Sequence, residues 1–339
     1  MKAVVLFAAA TSMLAQNAPP LSNAHLEIRA FSANDLASEL RSATPSWFGY
    51  QIQTVRRDES CCWSDSSRGC WLEGHFGKMV GVRSDQPVQL EGSDKAAVLY
   101  RVDKSGIEKI EMFSMSCPLD GGGLPFVWLT GVSSQASLTE LRQLAVSEAS
   151  KRLSDSAIFA VAQHPDTEAD TILNQLAVPN EPERVREKVA FWLGASRGAS
   201  GVKTLQEMLK NDPSASVRDK AVFALSISKQ PEGTETLIAV ARTDPSPHVR
   251  SQAIFWLAQK AGKQAETIIV NAIQNDPDTE VKKKAVFALS QLPKDNGIPK
   301  LIDVARTQRN PEVRKQAFFW LGQSGDPRAL QYIEQVLEK

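Results

Sequence analysis

The sequence predicts an α-solenoid of about six 32-residue αα-hairpins, preceded by a small, mainly β, disulfide-containing domain. Three observations predict it. Leu153, Val185, Val217, Val249, Val281 and Val313 stand 32 residues apart, and six residues after each stand Phe159, Phe191, Phe223, Phe255, Phe287 and Phe319. No insertion breaks the interval. A fixed period of roughly 20 to 50 residues marks a stack of supersecondary units, each burying its apolar face only against its neighbours. All four cysteines, Cys61, Cys62, Cys70 and Cys117, precede the repeats. The segment that holds them reads as strands rather than helices.

Taken in order, Met1 to Ala15 gives one positive charge at Lys2, a short apolar run and small residues before polar Gln16. That pattern predicts a signal peptide over 1–15 and a periplasmic or secreted protein. No later apolar run reaches the roughly 18 residues that a membrane span needs. Lysine plus arginine equals aspartate plus glutamate at 39 each. The chain therefore lacks the basic excess that binding to nucleic acid or an anionic membrane requires.

Residues 16–135 form the predicted β domain. Ser32 to Leu40 suggests one short helix. In Trp47 to Val55, Phe48, Tyr50 and Ile52 share one side at a period of two, which predicts a half-buried strand. Ala96–Val102 and Ile107–Met115 flank Asp103-Lys-Ser-Gly106, the signature of a hairpin. Gly121 to Pro125 predicts a turn, and Phe126 to Thr130 a further strand. An even cysteine count behind an export signal implies two disulfides in an oxidising compartment. A bridge between adjacent Cys61 and Cys62 would strain the chain, so each is expected to pair with one of Cys70 and Cys117. A metal site is disfavoured, because the paired C-x-x-C spacing is absent and only His75 lies near.

Ser137-Leu-Thr-Glu140 reads as a capping box, and the chain is predicted helical from there to the end, giving a solenoid over 136–339. In Asp212 to Ser226, Asp then Pro suits a helix start. Val217, Ala221, Ala224 and Leu225 fall at i, i+4, i+7 and i+8, one face of that helix. Thr234–Arg242 and Ile298–Arg306 supply second helices, so each unit is an αα-hairpin.

Asp-Pro, then Val-Arg, then Ala-x-x-Ala-Leu resembles the short HEAT-like repeat associated with phycobilisome lyases, over about residues 150–339. The resemblance implies a hydrogen-bonded ladder of aspartates and arginines six residues apart. Asp212 with Arg218, Asp244 with Arg250 and Asp276 with Lys282 match it, whereas Asn180 precedes Arg186, Gln308 precedes Arg314 and Ser154 replaces the first arginine. On an exposed surface such pairs would contribute about 0 to 1 kcal/mol each. The resemblance also implies that second helices line the concave side.

One position past the phenylalanines, Ala160, Trp192, Ala224, Trp256, Ala288 and Trp320 alternate. This placement admits two readings for Trp192, Trp256 and Trp320: large-against-small packing between units, or a row of anchors for a partner. No catalytic motif appears, and the His-Glu dipeptides of the family's di-iron hydroxylase are missing. His164 and His248, each near a proline, are expected to be solvated. The resulting expectation is a non-enzymatic, monomeric, cofactor-free scaffold that binds a protein partner. The alternatives are an enzyme of the HEAT-like lyase or metal-dependent hydroxylase type, and a thiol-dependent module in the N-terminal domain.

Overall fold

The computed structural model describes residues 18–32, 35–55, 61, 70–73, 94–148, 150–260 and 263–338. The expected signal peptide, Cys62 and His75 lie outside them. The chain forms two compact units, Met1–Leu176 and Ala177–Lys339.

The first unit runs β1 (Leu21–Ser22), β2 (His25–Ala30), α1 (Leu36–Glu39), β3 (Ser46–Gln53), β4 (Cys70–Trp71), β5 (Lys95–Asp103), β6 (Gly106–Ser114), β7 (Leu119–Asp120), β8 (Pro125–Thr130), α2 (Ser134–Ala145), α3 (Lys151–Gln163) and α4 (Thr167–Leu176). Five strands form one sheet in the order β2-β8-β3-β5-β6, and β1-β7-β4 form a smaller one. β8 is parallel to both β2 and β3, while β3, β5 and β6 are antiparallel neighbours. The expected hairpin is β5–β6, where Gly106 takes φ +113°, a conformation that other residues rarely adopt.

β3 differs from its expectation. It is central, and Trp47 is as buried as Phe48, Tyr50 and Ile52, so both of its faces are covered. On one side, Trp47, Ala97, Leu99, Phe126 and Trp128 pack with Cys70, Leu72, Cys117 and Leu119 from the cysteine segment. On the other, Tyr50, hydrogen-bonded to Tyr100, meets α2 at Ser137. The short helix is also smaller than expected, four residues capped by Asp35. Although strands give way to helix at Ser134, the compact unit continues to Leu176.

The second unit consists, among the described residues, of α5 (Glu183–Ser196), α6 (Gly198–Asn211), α7 (Ala215–Ile227), α8 (Pro231–Thr243), α9 (Pro247–Lys260), α10 (Lys263–Asn275), α11 (Thr279–Ser290), α12 (Lys294–Thr307), α13 (Pro311–Gln323) and α14 (Pro327–Leu337). Each first helix is followed by a second of similar length. Val185, Val217, Val249, Val281 and Val313 are fully buried, as are Ala224 and Ala288. The repeated positions are therefore the core of the stack. Backbones approach closely there: a Cβ on Gly194 would lie 2.2 Å from the carbonyl oxygen of Ala224.

Candidate functional site

Three arrangements of side chains stand out, one in the sheet unit and two in the solenoid unit.

The first solenoid arrangement is a buried ladder. Arg186, Arg218 and Arg250 are buried, and so are Asp212, Asp244 and Asp276. Nε and Nη2 of each arginine donate to both carboxylate oxygens of the aspartate 26 residues later. The distances are 2.7 and 3.1 Å for Arg186, 2.9 and 3.2 Å for Arg218, and 2.8 and 2.9 Å for Arg250. Among the described residues, the expected partners six residues apart form no ion pair. Instead Nη1 of Arg218 donates to the backbone carbonyl of Asp212 at 2.9 Å, and Arg250 does the same to Asp244. Each of Asp212 and Asp244 is thus gripped twice, by its carboxylate and by its carbonyl.

This arrangement explains why Arg186 belongs to the ladder despite Asn180, since its acid lies ahead of it. It also removes Lys282 from the fork geometry. Lys282 Nζ reaches the carbonyl of Gln274 at 3.2 Å, and position 308, 26 residues on, is a neutral glutamine bonded to the carbonyl of Ile273. Because the pairs are buried, the surface value of about 0 to 1 kcal/mol does not apply to them. A buried pair adds little net stability, yet deleting one partner costs about 3 to 5 kcal/mol. Asp212 does not cap α7 itself. Ser214 does, accepting from Val217 N, while the Asp212 carboxylate holds the turn by accepting from Ser214 N at 2.9 Å.

The second solenoid arrangement is an aromatic row on the first helices. Phe191 and Phe223 stack at 6.2 Å between centroids, Phe223 lies 4.9 Å from Trp256, and Trp256 packs on Phe255. Phe255 stacks on Phe287 at 6.2 Å, and Phe287 lies 4.9 Å from Trp320. Trp192 meets Phe191 edge-on. The three tryptophans are half-buried, and Phe319 is 52% exposed. Ala224 and Ala288, which alternate with the tryptophans, are fully buried, while Phe319 brings the row to the surface. The phenylalanines were legible as a period but not as part of a surface.

The sheet unit holds a buried polar chain. Tyr100 and Tyr50 hydroxyls lie 2.9 Å apart, Tyr50 OH lies 2.7 Å from Ser137 Oγ, and Ser137 Oγ lies 3.0 Å from His164 Nε2. His164 Nδ1 is 3.7 Å from Asp166. Burial pushes both tyrosine hydroxyls up, which keeps them protonated. Glu140, one turn along α2, is 4% exposed, its Oε2 has no hydrogen-bond partner, and burial raises its carboxyl above the ordinary range.

Two expectations fail here. Ser137 and Glu140 are not a capping box, because Ser133 caps α2 by accepting from Ala136 N and leaves Ser137 inside the helix. His164 is fully buried rather than solvated, whereas His248 is exposed. The chain of a hydroxyl, an imidazole and a carboxylate is closed to solvent at Ser137 and His164, and its hydrogen bonds tie helix to sheet.

Cys61 is bonded to Cys117, and Cys70 is also disulfide-bonded. Among the described residues no cysteine is free, no three metal-ligating side chains converge, and no helix is long and apolar enough to cross a membrane.

A family model for HEAT repeats matches residues 169–258, 234–318 and 266–339, together half of the chain. The chain belongs to the HEAT-repeat family. Its HEAT repeats are similar to several solved structures. With human deoxyhypusine hydroxylase in complex with glycerol the identity is 17%, over 60% of this chain and 91% of that one, at a TM-score of 0.26. With the CpcE–CpcF complex of phycocyanin lyase from Nostoc sp. PCC7120 it is 21%, over 46% and 99%, at 0.35. With a chain of the complex between Kap95p and RanGDP it is 16%, over 62% and 33%, at 0.42. No curated protein matches the HEAT-repeat chain.

Proposed function

We propose that this HEAT-repeat protein is a non-enzymatic, monomeric scaffold that holds a protein partner on the outward strip of its first helices. The observation that carries the reading is the aromatic row. The row leaves half-buried tryptophans and phenylalanines partly accessible through successive units and ends on the exposed Phe319, and such residues are the common anchors of protein interfaces. The ladder supports it by fixing register between units, so that the row stays continuous. The Cys61–Cys117 bond supports a periplasmic or secreted location, where disulfides persist. The same bonds leave no thiol among the described residues for thiol-dependent chemistry.

Affinity capture from an envelope extract, with the full chain as bait, tests the reading. One saturable protein should be retained, and it should be lost when Trp192, Trp256 and Trp320 are changed to alanine in a chain that keeps its helical circular dichroism. Sedimentation should show a single-chain mass. Retention unaffected by the triple change, or stoichiometric iron or a bilin in the purified protein, would contradict it.

A further inference from the structure

The hydroxyls of the buried polar chain in the sheet unit carry just enough hydrogens to fill its links. Among the described residues Tyr100 OH has one hydrogen-bond partner, Tyr50 OH, at 2.9 Å. Its hydrogen therefore points at Tyr50 or at nothing, and an unpaired hydroxyl hydrogen in a dry core is costly. The bare Oε2 of Glu140 does not receive it. With Tyr100 donating, Tyr50 has its own hydrogen for Ser137 Oγ at 2.7 Å, and Ser137 has its own for His164 Nε2 at 3.0 Å. Burial pushes both tyrosine hydroxyls up, so neither gives up its hydrogen to relieve the chain. Three hydroxyls thus fill three links, and the last link needs a bare nitrogen. A neutral imidazole has one bare and one protonated nitrogen. The ring hydrogen of His164 accordingly sits on Nδ1, on the side of Asp166.

We propose that this seam is an acid-sensitive latch: His164 closes it as a neutral imidazole, and a second proton, taken from solvent onto Nε2, turns the chain round. Nε2 then donates to Ser137, Ser137 to Tyr50 and Tyr50 to Tyr100, whose hydrogen is left without an acceptor. The latch joins α2 and the turn after α3 to β3 and β5, so its reversal loosens both helices on the sheet.

The groups around the imidazole do not rescue the charged form. Asp166, in the turn that follows His164, favours an imidazolium, but its side chain is 38% exposed and lies 3.7 Å away, beyond hydrogen-bond reach. Glu140 on α2 has its carboxyl pushed up by burial, so in acid it is neutral and supplies no counter-charge. Glu168, at the start of α4, accepts from Gln135 at 2.7 Å. Tyr50 from β3 and Tyr100 from β5 stay neutral. The unfolded chain, where the imidazole is hydrated, therefore takes up the proton more readily than the folded one. The contribution of the latch is whole above the ordinary histidine value of about 6.5, and it is lost as pH falls below that.

Nuclear magnetic resonance on the full chain with isotope-labelled histidine rings tests this, the His164 signals being assigned with a His164→Gln variant. At neutral pH His164 should show a bare Nε2 and a protonated Nδ1. Its half-protonation should fall at least about one pH unit below the ordinary histidine value, a roughly tenfold loss of proton affinity. Tyr100→Phe removes the hydrogen that would be stranded, so the chain can run either way and half-protonation should move back up by about one unit. Should that variant fail to fold, the tautomer and the titration of the unchanged chain decide the matter alone. A bare Nδ1, an imidazolium at neutral pH, titration in the ordinary range, or a folded Tyr100→Phe variant that titrates like the parent would overturn the proposal.

Discussion

In the solenoid unit the buried polar side chains recur every 32 residues, and each arginine fork meets a carboxylate. In the sheet unit they occur once, as hydroxyls and an imidazole beside a carboxyl with one bare oxygen. The first pattern solves the same problem in each of several identical interfaces, so any error would be repeated along the stack. The second solves it at one seam, where α2 and α3 close over the sheet. Periodic polar groups set register between units, and solitary ones set which helix covers which strand.

Substitutions can break or sharpen this contrast. The largest effect should come from the staple of the sheet unit. Cys61→Ser with Cys117→Ser opens a loop closed over a separation of 56 residues and should cost about 4 kcal/mol. Hydrogen exchange should place the loss in β3, β5 and β8 and spare α7 to α13. Next, Asp244→Ala leaves the buried guanidinium of Arg218 without its carboxylate and should cost about 3 kcal/mol. Here exchange should accelerate in α7 and α8 first. If the loss appeared in the sheet instead, the ladder would not be what sets register.

Gly194→Ala forces a methyl against the Ala224 carbonyl and should cost about 1 to 3 kcal/mol, read as a lower denaturation midpoint with the slope unchanged. The smallest effect should be at Glu140. Burial raises its carboxyl in the folded protein, so its contribution is fully present below the unfolded carboxylate range and is lost as pH rises through the raised value. Glu140→Gln should therefore stabilise the sheet unit at neutral pH and flatten its dependence on pH above that range. A melting curve series showing equal pH dependence in both proteins would mean that the carboxyl has a partner after all.

The contrast also explains what the sequence made legible. The 32-residue period announced the hairpins, the valine core and the alternation of alanine with tryptophan, because repetition turns a weak local preference into a clear signal. The strands of the sheet unit were readable, but the burial of both faces of β3 was not, because the cover comes from cysteine-rich residues far along the chain. The ladder was readable as a set of residues, and the pairs Asp212–Arg218 and Asp244–Arg250 do bond through the aspartate carbonyls, but the carboxylate partners were not readable. Arg218 and Asp212 are close in sequence, yet the fork reaches past them to an acid 26 residues ahead. Reading the Lys282 and Gln308 exceptions together at that spacing would have found it. Ser137, Glu140 and His164 carried no such signal. A serine three residues before a glutamate spells a capping box locally, and only the tertiary contacts with Tyr50 and His164 show its other role.

The central claim is that the aromatic strip of the first helices is where the HEAT repeats hold a partner. Hydrogen exchange on the intact chain, with and without the captured protein, tests it most directly. Protection confined to α5, α7, α9, α11 and α13 is the predicted result. Protection on the sheet strands alone, with those helices unchanged, would contradict it and make the solenoid a spacer.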